Sequence, residues 1–194
     1  AFTNYQTHDS AVSSLEYDPA LYIEDEKLLS DIAALSLVER QGIAEIINGS
    51  IGLHTFYAVK RTGTVASFSD RKNVPYFLTN GAAAECFKIV RAGGTELSVV
   101  LRDGRRMPFR AGKLAAKFVD LIDGQRDIDT IFNTIIATET YKGRKLLDME
   151  LFGVLTPALE KMRALNWIAL RHTHAAEIPT VDAPCSFIID SLIT

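Results

Sequence analysis

The stretch LSVVLRDGRRMPFRAGKLAAKFVDLIDGQRDIDTIFNTII, residues 97–136, decides the fold. Its first half sets two short apolar runs on either side of Arg102-Asp103-Gly104. Asp-Gly between apolar runs is the strongest short hairpin signal in a sequence, because the tight turn needs left-handed backbone that glycine adopts freely. Residues 97–101 and 106–110 are therefore expected to pair as strands, the second alternating Met107 and Phe109 with basic residues. The second half changes period. Leu114, Phe118, Leu121 and Ile122 predict a helix over 112–123, ended by Gly124. Ile128, Ile131, Phe132, Ile135 and Ile136 form the i, i+3, i+4, i+7, i+8 stripe of an amphipathic helix, with Asp127 or Asp129 as its cap.

Outward from this core, residues 86–91 read as a further strand closed by Ala92-Gly93-Gly94. A third helix is expected over 148–165, carrying Met149, Phe152, Leu155, Leu159, Met162 and Leu165, and Pro157 is expected to kink or split it. Residues 166–171 then read as a strand, the wing. The order β-β-β-α-α-α-β over 85–171 predicts an α+β winged helix-turn-helix, a three-stranded sheet with three helices and a wing.

Upstream, residues 1–24 read as an arm or short helix. Leu28, Leu29, Ile32 and Leu35 follow helical spacing, and Ser36-Leu37-Val38-Glu39 is a capping box opening a helix that ends at Asn48-Gly49. Residues 53–60 and 74–79 read as strands with a polar loop between, and Asn80-Gly81 as a turn. The chain thus divides into a helical and stranded extension (1–80), expected to bind a partner, a winged-helix domain (81–172), and a tail (173–194). The apolar end of the tail, 187–193, is expected to dock either on its own domain or on a partner.

Composition is that of a globular chain: 194 residues, 47% hydrophobic, 23% charged, mean hydropathy +0.09. Two cysteines, Cys86 and Cys185, make no disulfide framework, and the expected compartment is reducing and cytoplasmic. The start AFTNYQTHDS has no signal-peptide pattern, and no apolar run is long enough to span a membrane. The absence of methionine at Ala1 points to a processed chain or a piece of a longer one. The net charge of −3 argues against nucleic acid as partner, since phosphate affinity comes mainly from lysine and arginine.

Against that acidic background, Arg102, Arg105, Arg106, Arg110, Lys113 and Lys117 form a local basic cluster opposed by Asp103. A solvated surface is the ordinary reading of such a cluster. The segment Leu121-Ile122-Asp123-Gly124-Gln125-Arg126-Asp127-Ile128-Asp129-Thr130-Ile131 resembles the turn of PqqD-like proteins. These are the peptide-recognition elements of pathways that modify ribosomally made peptides. The resemblance covers somewhat under half the chain. It implies a domain that binds the leader of a precursor peptide as an added strand beside the third strand and against the third helix. The implied contacts are Arg102, Arg105, Arg106, Met107, Phe109, Arg110 and Lys113, with Phe152, Leu155 and Leu159 forming an apolar pocket. An exposed sheet edge suits such addition, and basic residues suit an acidic peptide. Pro108 departs from the pattern, because it has no N–H for a ladder bond. Residues 1–80 have no counterpart in the minimal family.

The implied function is a non-catalytic accessory subunit, without cofactor, that presents a precursor peptide to a separate modifying enzyme. Multinuclear iron oxidases of the methanobactin and 3-thiaglutamate kind, and radical enzymes, are equally allowed as that partner. The alternatives are a winged-helix DNA-binding regulator and the regulatory part of a methyltransferase, since residues 25–60 resemble helices that trail some methyltransferase domains. No GxSxG, GxxxxGK[ST] or HExxH motif occurs. His172 and His174 lack a third ligand for a metal. His54 and Trp167 read as packing residues, and Asp127, Asp129 and Asp148 as helix caps.

Overall fold

The computed structural model describes residues 17–49, 66–93, 96–100, 104, 106–177, 179–180, 182–184 and 188–190. The chain divides into two compact units, 1–65 and 66–194. In the first unit a 3-10 turn, Pro19–Leu21, precedes α1 (Glu26–Ala33) and α2 (Leu37–Asn48). The Asp25 carboxylate caps α1 by accepting from the Leu28 amide at 2.9 Å. The expected capping box opens α2, with Glu39 accepting from the Ser36 amide at 2.9 Å. Gly49 closes it in left-handed backbone, φ 65°. Asn48 Nδ2 donates to the Tyr22 hydroxyl, tying the end of α2 to the turn. The strand expected over 53–60, with His54, lies outside the described residues.

The second unit is mixed α+β. Its elements are β1 (Asn73–Phe77), α3 (Asn80–Ala92), β2 (Glu96–Val100), β3 (Arg106–Arg110), α4 (Lys113–Asp120), α5 (Ile128–Thr138), β4 (Thr140–Tyr141), β5 (Arg144–Lys145), α6 (Asp148–Ala164), β6 (Ile168–His172) and β7 (Ile188–Asp190). The expected hairpin forms, β2 pairing antiparallel with β3 from Glu96↔Arg110 to Val100↔Arg106, with Gly104 at φ 82°.

Four expectations need correction. Residues 86–91 are helical, within α3. Thr79 caps that helix by accepting from the Ala82 amide at 3.0 Å, and Ala82, Glu85, Cys86 and Ile89 bury one helical stripe. A six-residue apolar run is ambiguous in period, and the cap resolves it. The third strand of the sheet comes instead from the tail: the order is β3-β2-β7. The strand β6, expected as a wing, pairs with β1, Asn73↔His172 to Phe77↔Ile168, and not with the hairpin sheet. That pairing places residues 66–80 in the same compact unit as 81–172, so the division falls at 65/66 rather than 80/81.

The core fills the space between the sheets and helices. Phe109 meets Trp167 edge-on at 5.5 Å and Phe118 meets Phe132 at 6.1 Å, all four buried. Trp167 is aimed inward by the end of α6, where Asn166 takes left-handed backbone (φ 55°) and the Trp167 amide donates to the Met162 carbonyl at 3.0 Å. Helix α6 runs unbroken through Pro157. Pro157 supplies no amide there, and the Thr156 hydroxyl bonds back to the Phe152 carbonyl at 2.7 Å. Pro157→Ala restores a helical donor at an exposed position and is expected to stabilise the protein by about 1 kcal/mol, read from a denaturant midpoint.

Asp127 is the cap of α5, accepting from the Thr130 amide at 2.8 Å. Hydrogen bonds from Thr130, aided by the Lys72 charge, hold its carboxyl below the ordinary aspartate range. A depressed carboxyl stabilises the fold above its unfolded value, and that stability is lost as pH falls through the folded value. Asp127→Ala is therefore expected to cost about 1 kcal/mol at pH 7. The difference from the unaltered chain should close as pH falls below about 4. Unfolding curves across that range measure it.

Candidate functional site

The strand Arg106–Arg110 is the edge of its sheet, paired among the described residues with β2 alone. Alternation along a strand divides its side chains between two faces. On one face Phe109 is buried opposite Leu97, and Met107 is half-buried opposite Val99. On the other, Arg106, Pro108 and Arg110 are exposed, and Lys113 is exposed at the start of α4. The basic cluster of the sequence therefore survives as three exposed cations along one edge. Its opposition is larger than Asp103 alone: exposed Glu96 stands directly across β2 from Arg110.

Helix α6 closes part of this edge. Lys161 Nζ donates to the Pro108 carbonyl at 2.9 Å and lies 5.7 Å from the Phe109 ring centre. Burial pushes the Lys161 ammonium below the ordinary lysine range. Pro108 thus offers an incoming strand no N–H, and its carbonyl already has a donor. Ladder bonds to such a strand fall to the residues flanking Pro108.

The expected contacts separate into three groups. Arg106, Arg110 and Lys113 are exposed, the first two at opposite ends of β3 and the third at the start of α4. Arg102 and Arg105 lie outside the described residues. Phe109, Leu155 and Leu159 are 0%, 0% and 1% exposed, and so belong to the core rather than to an open apolar pocket. Leu155 and Leu159 are buried by the helical stripe of α6, which packs on α4, α5 and β6, and Phe109 of β3 packs against Trp167. Half-buried Phe152 sits 5.5 Å from the Arg71 guanidinium, which also stacks on Phe132 at 3.8 Å and pairs with Asp148 at 2.8 Å. Asp148 is thus the partner of Arg71 rather than a cap.

Neither Lys161 nor Glu96 belongs to the basic edge expected from sequence. The i+4 spacing from Pro157 places Lys161 on α6, but nothing in that spacing reports which carbonyl it reaches. The His172 and His174 rings lie 5.0 Å apart, and the His174 amide donates to His172 Nδ1 at 3.2 Å. Among the described residues, no group of three or more His, Cys, Asp or Glu side chains is placed to hold a metal, and no helix is long and apolar enough to cross a membrane. No protein-family model, no curated protein and no solved structure matches this chain.

Proposed function

We propose that this chain is a non-catalytic accessory subunit that binds the acidic leader of a precursor peptide along β3 and presents the core peptide to a separate modifying enzyme in the cytoplasm. The observation that carries the reading is an edge strand flanked by exposed Arg106, Arg110 and Lys113 in a chain of net charge −3. Main-chain groups give affinity to an added strand, while rim charges set register and association rate.

On this reading the hairpin β2–β3 with α4, α5 and α6 is the PqqD-like peptide-binding element. The first unit, residues 1–65, provides the enzyme-binding surface. The DNA-binding alternative finds less support: of its two candidate groove helices, Ile128–Thr138 holds no lysine or arginine and exposes Asp129, Thr130 and Asn133, while α6 carries Lys161 and Arg163 only near its end, where they donate to the Pro108 and Ala66 carbonyls.

The test is retrieval of the tagged full chain from the cells that make it, with mass spectrometry of what is retained. Co-retention of one enzyme and a short acidic precursor peptide is expected. Retention of duplex DNA with a steep salt dependence, or of neither, contradicts the reading.

A further inference from the structure

Successive residues of a strand direct their N–H and C=O groups to alternate edges. In the sheet β3-β2-β7 that alternation is fixed at Ile189. Its amide donates to Glu85 Oε2 at 2.6 Å and its carbonyl accepts from Lys88 Nζ at 2.9 Å, both on α3. Ile189 therefore faces away from β2. The register Ile189↔Val99↔Met107 then turns Val99 and Met107 towards each other, and it turns Pro108 and Arg110 alternately in and out of the pairing. Both of these, an odd number of residues from Met107, direct their main chain to the outer edge of β3.

An antiparallel strand added at that edge exchanges two hydrogen bonds with each residue it meets face to face. Arg110 has both groups to exchange. Pro108 has no N–H, and its carbonyl accepts from Lys161 Nζ at 2.9 Å. The incoming carbonyl opposite Pro108 would then lie between strands without a donor, which costs about as much as a lost hydrogen bond. Lys161 stands where that donor is missing. The nitrogen and carbonyl of Pro108 lie on one edge, so an ammonium held by the carbonyl sits beside the position opposite the nitrogen. An ammonium carries three donors, and among the described residues the Pro108 carbonyl is its one hydrogen-bond acceptor. Pro108 is exposed, so water could serve that carbonyl. Holding an ammonium partly out of water, 5.7 Å from the Phe109 ring centre, is a costly way to do the same.

We infer that Lys161 is the donor that Pro108 lacks: fixed on the Pro108 carbonyl, it gives a second N–H to the incoming carbonyl opposite Pro108 and so sets the register of an added strand. The occupant is an extended acidic peptide, antiparallel to β3 as every described strand pair of this chain is, with an acid two positions from that carbonyl, opposite exposed Arg110. This assignment rests on the reading of β3 as the docking edge. Lys161 is a positioning residue within it.

The test uses the full chain and a labelled synthetic peptide, GEVTVEG, whose acids stand two positions to either side of its central residue. Lys161→Met is expected to weaken binding about tenfold or more, the loss of a hydrogen bond from a charged donor. Pro108→Ala returns the ladder N–H, and in that background the same Lys161→Met change should cost no more than about threefold. A charge acting only at a distance would cost the same in both backgrounds, so the difference between them isolates the donor. Equal losses in the two backgrounds, or none in either, overturn the inference and leave β3 as the docking edge. A chain that does not bind this peptide overturns it as well, and retrieval from native cells then decides the leader reading by itself. Should Lys161→Met not fold, amine acylation of the unaltered chain decides. Saturating peptide is expected to slow acylation of Lys161 severalfold, and an unchanged rate overturns the inference.

Discussion

Phe109→Ala is expected to destabilise the protein by about 3–5 kcal/mol, the cost of removing a buried aromatic from a filled core. Phe109 is 0% exposed, meets Trp167 edge-on at 5.5 Å and lies under the Lys161 ammonium. Its removal opens a cavity beneath the edge strand and leaves Lys161 with one contact fewer. Leu155→Ala and Leu159→Ala are expected to cost about 2–5 kcal/mol each for the same reason. Denaturant unfolding measures all three. A loss under about 1 kcal/mol for Phe109→Ala, with peptide binding abolished in the folded protein, would assign the residue to a ligand pocket instead.

The opposite behaviour is expected at the exposed cations. Arg106→Glu, Arg110→Glu and Lys113→Glu together should weaken binding of an acidic peptide by about tenfold or more at low salt, mainly through the association rate. The difference should shrink towards 1 M salt, where screening acts over about 3 Å. Stability should change little, because all three side chains are exposed. Arg110→Glu faces Glu96 across the ladder, and that like-charge pair is expected to cost under about 1 kcal/mol by itself. Binding kinetics at two salt concentrations, beside unfolding curves, separate the two effects. Unchanged affinity in the triple variant would remove β3 as the docking edge.

The parts of the fold legible in the sequence are those fixed by local chemistry. Asp103-Gly104 marks the hairpin, Ser36 and Glu39 mark the start of α2, and the isoleucine stripe marks α5, because each signal acts within a few residues. Residues 86–91 read as a strand from sequence because a short apolar run fits both periods, while the deciding cap is Thr79, outside the run. The short hairpin at 140–145 carries no such local signal. Its turn uses Lys142 (φ 51°) and Gly143 (φ 76°), and lysine is not a residue that announces left-handed backbone. The pairing of β6 with β1, and of β7 with β2, joins segments roughly a hundred residues apart, which no local pattern reports. For the site, charge and edge position were legible in Arg106, Arg110 and Lys113. The burial of Phe109, Leu155 and Leu159 was not, since an apolar stripe looks the same whether it faces a core or a groove.

An amide-resolved titration of the full chain with the acidic peptide retained from native cells tests the central claim most directly. Peptide docking along β3 predicts perturbed amides at Arg106, Met107, Phe109, Arg110 and Lys113, and weak ones over Ile128–Thr138. Perturbations confined to Ile128–Thr138, or an unchanged spectrum at saturating peptide, would contradict it.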